Sequence, residues 1–513
     1  MRTIAKFIIT AVALSTASLY AEIKLPKIFS DNMLLQREIP AKIWGTADAN
    51  AKVDVEFAGQ KKSATADDDG SWSVSLDPLK ADKTPREIKI SENGKPAKQV
   101  KNVLVGEVWI LGGQSNMQWN VENSTDASKA KARAKYPALR YFSQNTRLLS
   151  KTPLKDTESG AWKETTPETV GGYSAVGFYF GEQLMKDLDV PVGLVFAALG
   201  GSKMIAWIPE DKVRDAEYTK ADFENFLKNN AGYSYDKAVA KWKENHAKWV
   251  EDAKAAKAVG KKPARGPVAP NKVSYYPEQR TPVYLYNAVV AHLAGFAARG
   301  VLWYQGESDS GGDCLKNFNE QFDLVAKSWR EKFGNDDLAF VCVQLASFKH
   351  PNDWALTRWK QYLASKSTPK VYMANIIDCG EELDIHPKDK TTVGARLENI
   401  ARAEIYGVKG LHPYGPIFKT VKYTPDSATV LFDLDGRKLV GKGDPRGFEL
   451  KIDGEWKPAK AELAGNAVKL SPTDSDKNKK IGGVRYLWKS WAQPDVWLFN
   501  QDGLPALSFI SEK

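Results

Sequence analysis

The spacing of apolar residues along the chain changes from one stretch to the next. Polar turns separate the short apolar runs within each stretch. Between residues 22 and 102, apolar and polar residues alternate with a period of two, as in Val53-Asp54-Val55-Glu56-Phe57. Alternation of this kind is typical of antiparallel strands with one buried face. We therefore predict an N-terminal β-sandwich domain over residues 22–102.

The middle stretch, residues 103–410, has nearly continuous apolar runs separated by segments with a helical period. The clearest helical stripe steps by three and four residues from Leu315 to Trp329. Continuous apolar strands that alternate with helices predict an α/β domain, in which a parallel sheet carries helices on both faces. The five predicted strands are Val103–Leu111, Val192–Leu199, Gly300–Tyr304, Leu338–Leu345 and Val371–Ile377.

Two other stretches interrupt or follow this pattern. From about residue 210 to 282 a Lys-, Glu- and Ala-rich helical segment and a basic return break the alternation, which predicts a helical insertion. Its stripe includes His246, which we expect to be structural. From residue 411 to 513 alternating segments separated by Asp-Gly turns predict a C-terminal β domain. Several domains fit a length of 513 residues.

The first residues have the pattern of a secretory signal peptide. Arg2 and Lys6 precede the apolar segment Phe7–Leu14, and small residues follow as far as Ala21. This predicts a cleaved segment over residues 1–21 and export to the periplasm or the exterior. The apolar run is shorter than the roughly 20 residues of a membrane span, so no stable membrane anchor is expected.

Composition narrows the function classes further. The net charge of +10 is small for this length, and without a nucleic-acid-binding module it indicates a solvated basic surface. The five histidines show no metal-ligand spacing, so we expect no metal and no cofactor. Three cysteines exclude a dense disulfide framework but leave one bridge open, and the sequence does not fix the oligomeric state. The cysteines are Cys314, Cys342 and Cys379.

Polar clusters follow four of the predicted strands. Residues 113–116 follow the first strand, residues 200–202 the second, residues 305–309 the third, and residues 384–387 come soon after the fifth. The carboxyl ends of parallel strands meet at one edge of a sheet, where active sites of such sheets lie. We therefore expect these clusters to form one site.

Ser115, His386 and Asp384 have the residue types of a serine hydrolase. A hydroxyl becomes a nucleophile when a base takes its proton, and His386 is the histidine that follows the last core strand. Asp384 lies two residues earlier, so in an extended loop it can accept the Nδ1 proton of His386. The alternative is a capping Asp384 with a surface His386 before a predicted helix over residues 391–405. A Gly-x-Ser-x-Gly elbow is absent because Met117 holds the last glycine position.

Acyl transfer also needs hydrogen-bond donors for a developing oxyanion. Gly201 and Ser115 can offer backbone N–H groups, and Gln305 can offer a side-chain amide. Asn116 and Glu307 are expected to hold the surrounding loops. For three other residues, structural and functional roles are equally open: Asp309, Asn287 and Asp378.

Three motifs resemble the sialate O-acetylesterase family of the SGNH hydrolase superfamily. They are Gly113–Met117 (Gly-Gln-Ser-Asn-Met), Trp303–Ser308 (Trp-Tyr-Gln-Gly-Glu-Ser) and Asp384–Pro387 (Asp-Ile-His-Pro). The likeness covers most of the chain after residue 21. It extends to further segments: Leu25-Pro26, Asp31-Asn32-Met33, Gly106–Trp109, Leu285-Tyr286-Asn287 and Val484-Arg485-Tyr486.

The resemblance implies a flavodoxin-like parallel sheet and a secreted esterase that removes acetyl groups from sugar hydroxyls without a metal. Ser115 would be the nucleophile, His386 the base and Asp384 its partner, with Gly201 and Gln305 completing the oxyanion hole. Gln305 replaces the superfamily's usual Asn, as is common in this family.

Two departures from the family pattern bear on the substrate. Asp309 stands where Asn is usual and Ser202 where Thr is common, and a charge from Asp309 near the site would disfavour an anionic sialate. Deacetylation of a plant polysaccharide such as xylan therefore stays open. So does a carbohydrate-binding protein with a vestigial site, although the intact Ser115, His386 and Asp384 argue against it.

Overall fold

The structure, a computed structural model, describes residues 23–264, 266–275, 278–476 and 479–512. The predicted signal peptide, residues 1–21, lies outside the described residues. None of the helices in the described part of the chain combines the length and hydropathy that crossing a membrane requires.

The N-terminal part consists of two β ladders with a shared core. The ladder of β4, β3, β6 and β7 is antiparallel, β1 runs parallel to β7, and β2 pairs with β5. The apolar positions of the alternating segments, such as Val53 and Val74, are buried between them. The strands are β1 (Leu34–Gln36), β2 (Ala41–Thr46), β3 (Lys52–Phe57), β4 (Gln60–Thr65), β5 (Ser71–Leu76), β6 (Asp82–Glu92) and β7 (Lys95–Gly113).

Strand β7 connects this part to the central sheet. Its first half pairs with β6, and its last residues lie between two later strands, with Gly113 beside Ala198 and Tyr304. The boundary between residues 102 and 103 stays a prediction, and it falls inside this strand. The central sheet continues with β8 (Tyr136–Gln144), β9 (Gly160–Thr165), β10 (Val192–Ala198), β11 (Gly300–Tyr304), β12 (Ala339–Val343) and β13 (Val371–Ala374).

The central sheet contains every strand predicted from the apolar runs and two more. The order is β13-β12-β11-β7-β10-β8-β9, parallel throughout except for antiparallel β9. The prediction of five parallel strands was therefore too low by one, β8. Its sequence contains Pro137 and Arg140, which interrupt the apolar pattern, yet Arg140 is 2% exposed because it bonds Asn102 and pairs with Glu164.

Helices cover both faces of the central sheet, as predicted. Helix α8 buries its apolar stripe in the core on one face, and α3 and α10 pack in the core on the other. The helices are α1 (Ser115–Gln118), α2 (Ala127–Arg133), α3 (Ala175–Leu188), α4 (Glu210–Asp215), α5 (Glu217–Ala231), α6 (Tyr235–Ala258), α7 (Gly312–Lys316), α8 (Phe318–Phe333), α9 (Trp354–Ser367) and α10 (Lys390–Ile400), with π-helical turns at Tyr286–Val290 and Ala401–Ile405.

Helices α4 to α6 occupy the region of the predicted insertion. The aromatic stripe of α6 is covered by the return segment, because Trp242 Nε1 donates to the Pro267 carbonyl at 3.0 Å and Trp249 Nε1 to the Ala264 carbonyl at 2.7 Å. His246 lies between these two rings. The stripe therefore serves packing within the insertion.

The C-terminal part contains two four-stranded antiparallel sheets, β14-β15-β20-β19 and β18-β17-β21-β23, and the pair β16-β22. Their apolar residues share a third core. The strands are β14 (Ile417–Tyr423), β15 (Ala428–Asp433), β16 (Leu439–Gly441), β17 (Phe448–Ile452), β18 (Glu455–Pro458), β19 (Lys460–Ala464), β20 (Ala467–Ser471), β21 (Ile481–Tyr486), β22 (Leu498–Asn500) and β23 (Phe509–Glu512).

Candidate active site

Ser115 lies at the carboxyl end of β7, at the first position of the short helix α1. Gly113, the last residue of β7, has a φ of 125°, and a Cβ atom there would lie 2.2 Å from the Tyr304 carbonyl oxygen. The Gln114 N–H donates to that same carbonyl at 2.9 Å. Only glycine fits this close approach to β11, so Gly113 allows the chain to turn and present Ser115 beyond the sheet.

The loop after β10 lies against Ser115. The Gly200 N–H donates to Gln118 Oε1 at 3.0 Å, and a Cβ atom on Gly200 would lie 3.3 Å from Ser115 Cβ. Gly201 follows with a φ of 73°. Within the described residues, the N–H groups of Ser115 and Gly201 have no hydrogen-bond acceptor. Two backbone donors that bind no other described residue therefore lie close to the serine.

The loop that carries His386 is bound to the same turn. Asn116 Nδ2 donates to the carbonyl of Ile385 at 3.0 Å. The His386 imidazole stacks on Trp119, with 5.1 Å between ring centroids and an interplanar angle of 15°. The Trp119 N–H in turn donates to the Ser115 carbonyl at 2.8 Å. The residues next to Ser115 and the end of its helix thus hold the His386 loop.

Asp384 contacts His386 as the extended loop predicts. Its Oδ1 accepts the His386 backbone N–H at 2.9 Å and lies 3.5 Å from Nδ1, which is longer than an ordinary hydrogen bond. Burial lowers the pKa of His386 more than the Asp384 carboxylate raises it, so the imidazole is neutral at neutral pH. Among the described residues no hydrogen bond joins the Ser115 hydroxyl to this imidazole; in unliganded enzymes such contacts are often loose.

Gln305 lies in a buried polar group beneath the carboxyl edge. Its Nε2 donates to Asp309 Oδ2 and to the Ser202 carbonyl, the latter at 3.2 Å. An oxyanion would have to compete with these acceptors for the amide hydrogens. Asp309 also accepts the Met204 N–H at 3.0 Å.

Asp309 does not bring a charge to the surface of the site. Its exposed fraction is 1%, and burial raises its pKa despite the hydrogen bond from Gln305. The carboxylate therefore lies inside the loop and not on the exposed surface, and the effect of Asp309 on an anionic sialate stays a prediction. The sequence pattern had placed it beyond the strand, but its carboxylate turns back beneath the loop.

A buried network lies behind Ser115 and His386. Lys390 Nζ donates to Asn116 Oδ1 at 2.6 Å, and Asn116 Nδ2 donates to Glu307 Oε1 at 2.6 Å. Burial raises the pKa of Glu307 to about 7 and lowers the pKa of Lys390 to about 7. The expected role of Asn116 and Glu307 in holding loops agrees with these contacts.

Sequence reasoning missed Lys390 because lysines are rarely buried and this one follows a polar run. The signal that could have found it is its position, the first residue of a helix four residues after His386.

The other polar candidates make contacts within the fold. Asn287 Nδ2 donates to the carbonyls of Ser150 and Lys151, and Asp378 accepts two hydrogen bonds from Arg396. All three cysteines are unpaired. In the chain as described, no group of three or more His, Cys, Asp or Glu side chains is arranged to hold a metal ion.

A solved relative has the same architecture over nearly the whole chain. It is a carbohydrate acetylesterase from Xanthomonas citri, 30% identical, with a TM-score of 0.79 over 96% of this chain and all of the relative. The shared fold places the protein among the carbohydrate esterases. A family model described as "Carbohydrate esterase, sialic acid-specific acetylesterase" matches residues 105–257 and 271–401, more than half of the chain. The chain belongs to this family.

Curated mammalian proteins are similar along most of their length. The sialate O-acetylesterase of Mus musculus is 28% identical over 94% of this chain and 93% of the relative. The sialate O-acetylesterase of Homo sapiens is 26% identical over 90% of this chain and 87% of the relative. Both alignments extend through the N-terminal and C-terminal β parts, outside the two segments that the family model matches.

Proposed function

We propose that the protein is an exported sialate O-acetylesterase in which Ser115 is the nucleophile, His386 the base and Asp384 the partner of the base. The observation that carries this assignment is the hydrogen bond from Asn116 to the Ile385 carbonyl, together with the stacking of His386 on Trp119. These contacts hold the imidazole beside the turn that presents Ser115.

The reaction has two acyl-transfer steps. His386 Nε2 takes the proton of Ser115 Oγ as this oxygen attacks the acetyl carbonyl, and the same proton then goes to the departing sugar oxygen. Water, activated by His386, hydrolyses the acetyl-serine and releases acetate. The N–H groups of Ser115 and Gly201 stabilise the oxyanion, and the Gln305 amide joins them when the oxyanion displaces the Ser202 carbonyl from its Nε2. Asp384 accepts the Nδ1 hydrogen and keeps Nε2 free for Ser115. This sequence of steps requires no metal or cofactor.

The choice of sialate esters rests on the curated relatives. Sialate O-acetylesterases align with 90% or more of the chain. Asp309 is buried but contacts Gln305 beside the proposed oxyanion hole, so its effect on an anionic sugar is tested by the assay below. Acetylated xylan is the competing substrate for the assay below.

The strand order supports an SGNH-type hydrolase in part. Of the predicted strands, the first lies between the second and the third and the fourth and fifth follow outward, as in a flavodoxin-like sheet, but β8 adds a sixth parallel strand beside the second. In open parallel sheets with a switch in strand order, ligands bind at the carboxyl ends of the strands. Export rests on the predicted signal peptide of residues 1–21.

The test measures acetate release from O-acetylated sialic acid, acetylated xylan and nitrophenyl acetate. We expect Ser115→Ala to lower kcat by about 10⁴-fold or more while the fold is retained. Ser365→Ala is a matched control, because Ser365 lies on α9 and donates to the Tyr362 carbonyl, away from the site. A chelator should leave activity unchanged.

Three results would contradict the proposal or its substrate. Absence of acetate release by the wild type from every ester would favour a carbohydrate-binding protein. Full activity of Ser115→Ala would show that another residue is the nucleophile. Faster release from xylan than from sialic acid would assign the substrate to plant polysaccharides.

A further inference from the structure

The buried network of Lys390, Asn116 and Glu307 lies between the two reacting loops. Asn116 follows Ser115, and the Ile385 carbonyl that it binds precedes His386. The Asn116 amide makes three hydrogen bonds, one through Oδ1 to Lys390 and two through Nδ2 to Glu307 and Ile385. Any rotation of this amide would therefore change the position of the His386 loop.

The charged neighbours allow only one orientation of the Asn116 amide. An ammonium group has donors and no acceptor, and an ionised carboxylate has acceptors and no donor. A flipped amide would turn its NH₂ group toward Lys390 Nζ and its oxygen toward Glu307, and both contacts would be repulsive. In their charged forms, Lys390 and Glu307 thus fix Nδ2 toward the Ile385 carbonyl. Because the pKa of each lies at about 7, this constraint weakens when Glu307 takes up a proton at lower pH or Lys390 loses one at higher pH.

The burial of these groups argues against a purely stabilising role. Lys390 has no exposed surface, its Nζ lies 5.2 Å from the centre of the Tyr304 ring, and Glu307 Oε2 has no hydrogen-bond partner among the described residues. Two charged groups buried on either side of an amide are rarely more stabilising than apolar side chains of the same volume. The hydrogen bond to the reacting loop gives this costly arrangement a function.

We propose that Lys390 is a positioning residue for ester hydrolysis, because it fixes the Asn116 amide that joins the His386 loop to the Ser115 turn. Glu307 acts with it from the opposite side of the amide. This role presupposes that Ser115 and His386 react as proposed above. Lys390 itself touches neither substrate nor the reacting atoms.

The test compares Lys390→Met, which retains the side-chain length without a donor, with Lys390→Gln, which retains a donor. We expect Lys390→Met to lower kcat on nitrophenyl acetate by about 100-fold, with KM nearly unchanged, because a small displacement of the base has effects of this size. Lys390→Gln should recover part of the loss. In the Lys390 variants, the rate at which a fluorophosphonate labels Ser115 should fall by the same factor as kcat.

Arg358→Met is the matched control for loss of a buried cation. Arg358 has no exposed surface and donates to the carbonyls of Leu487 and Lys489 in the C-terminal part, at 3.3 and 2.6 Å. We expect this variant to lower Tm and to leave the kcat of the folded protein unchanged. An equal loss of kcat in Arg358→Met would overturn the positioning role.

Two variants of Glu307 test the positioning role if Lys390→Met does not fold. Glu307→Gln keeps an acceptor for Asn116 Nδ2 and Glu307→Leu removes it, so Glu307→Gln should be much the more active. Equal kcat in this pair, or wild-type kcat in folded Lys390→Met, would overturn the role of the network. Wild-type activity and loss of activity in Ser115→Ala, measured in parallel, report separately on the proposed function.

Discussion

The position of Ser115 depends on the absence of a side chain at Gly113. A Cβ atom here would lie 2.2 Å from the Tyr304 carbonyl oxygen, at a φ of 125°. We expect Gly113→Ala to destabilise the fold by about 3 kcal/mol or more and to displace Ser115. The free-energy cost of the strained φ and the cost of the clash with the Tyr304 backbone add to each other. Chemical denaturation and acetate release would measure the two effects.

Gly94→Ala is the control that measures the loss of stability caused by a positive φ alone. It has a φ of 79° in the turn between β6 and β7, and nothing lies within 4 Å of an added Cβ atom. Gly94→Ala should therefore cost only about 1 kcal/mol and leave activity intact. Equal destabilisation by the two substitutions would show that the contact with Tyr304 is not the cause.

The pKa of His386 predicts the acid side of the pH profile. Burial has the largest effect and lowers the pKa of His386 below the usual 6.5. The Asp384 carboxylate raises this pKa, and Lys390 lowers it further. The base must be neutral, so kcat/KM should persist below pH 6.5 and fall only at more acidic pH. Trp119→Ala would uncover the stacked ring and should move this fall to higher pH. A shift in the opposite direction would contradict burial as the cause.

At the scale of residues, the sequence predicted the polar clusters but not how each side chain is used. The positions of Ser115 and the His386 loop could be predicted because strand ends determine where residues converge, while their catalytic roles stay predictions. Lys390 could not, because burial of a lysine depends on acceptors contributed by distant loops. For the same reason the sequence left open that Gln305 donates to Asp309.

Helix α10 holds Lys390 at its first turn, and its N-cap offers a test. Asp389 Oδ1 accepts the Thr392 N–H at 3.0 Å. Loss of such a cap costs about 1 kcal/mol, so Asp389→Ala should lower stability by that amount and also lower kcat, because the first turn carries Lys390. Thermal unfolding and kcat would be measured together.

Helix α9 has an equivalent N-cap away from the reacting groups. Asp353 Oδ1 accepts the Leu356 N–H at 2.9 Å. Asp353→Ala should cost about the same free energy with no change in the kcat of the folded protein. If both substitutions lowered kcat equally, the link between the first turn of α10 and the site would be wrong.

At the scale of elements, the apolar runs predicted five strands of the central sheet, because each of these strands is buried on both faces. Strand β8 was missed, since the buried Arg140 depends in part on Asn102 and Glu164, which are distant in sequence. Helix α10 was predicted over residues 391–405. The structure begins it at Lys390 and replaces its last residues by the π-helical turn Ala401–Ile405.

Glu107 connects the N-terminal part to the central sheet. Its side chain is fully buried and accepts hydrogen bonds from Arg37 Nε at 2.5 Å and Arg299 Nε at 2.9 Å. Glu107→Leu leaves two arginines without this partner and should destabilise the protein by about 3 kcal/mol. Calorimetry should show one unfolding transition at lower temperature, because β7 belongs to both parts.

Glu512→Gln is the corresponding control at an exposed ion pair with Lys451. Surface pairs of this kind contribute little, so no measurable change in Tm is expected. Two separate transitions in either protein would show that the N-terminal part unfolds independently, despite the shared strand.

The continuous strand β7 also has a practical consequence for attaching the enzyme to a surface. Its 19 residues, at about 3.3 Å per residue, separate the turn at Gly94 from Ser115 by up to about 60 Å. A tag or cross-linker at this turn would direct the carboxyl edge of the sheet away from a solid support. An immobilised esterase oriented in this way would leave its site open to large glycans.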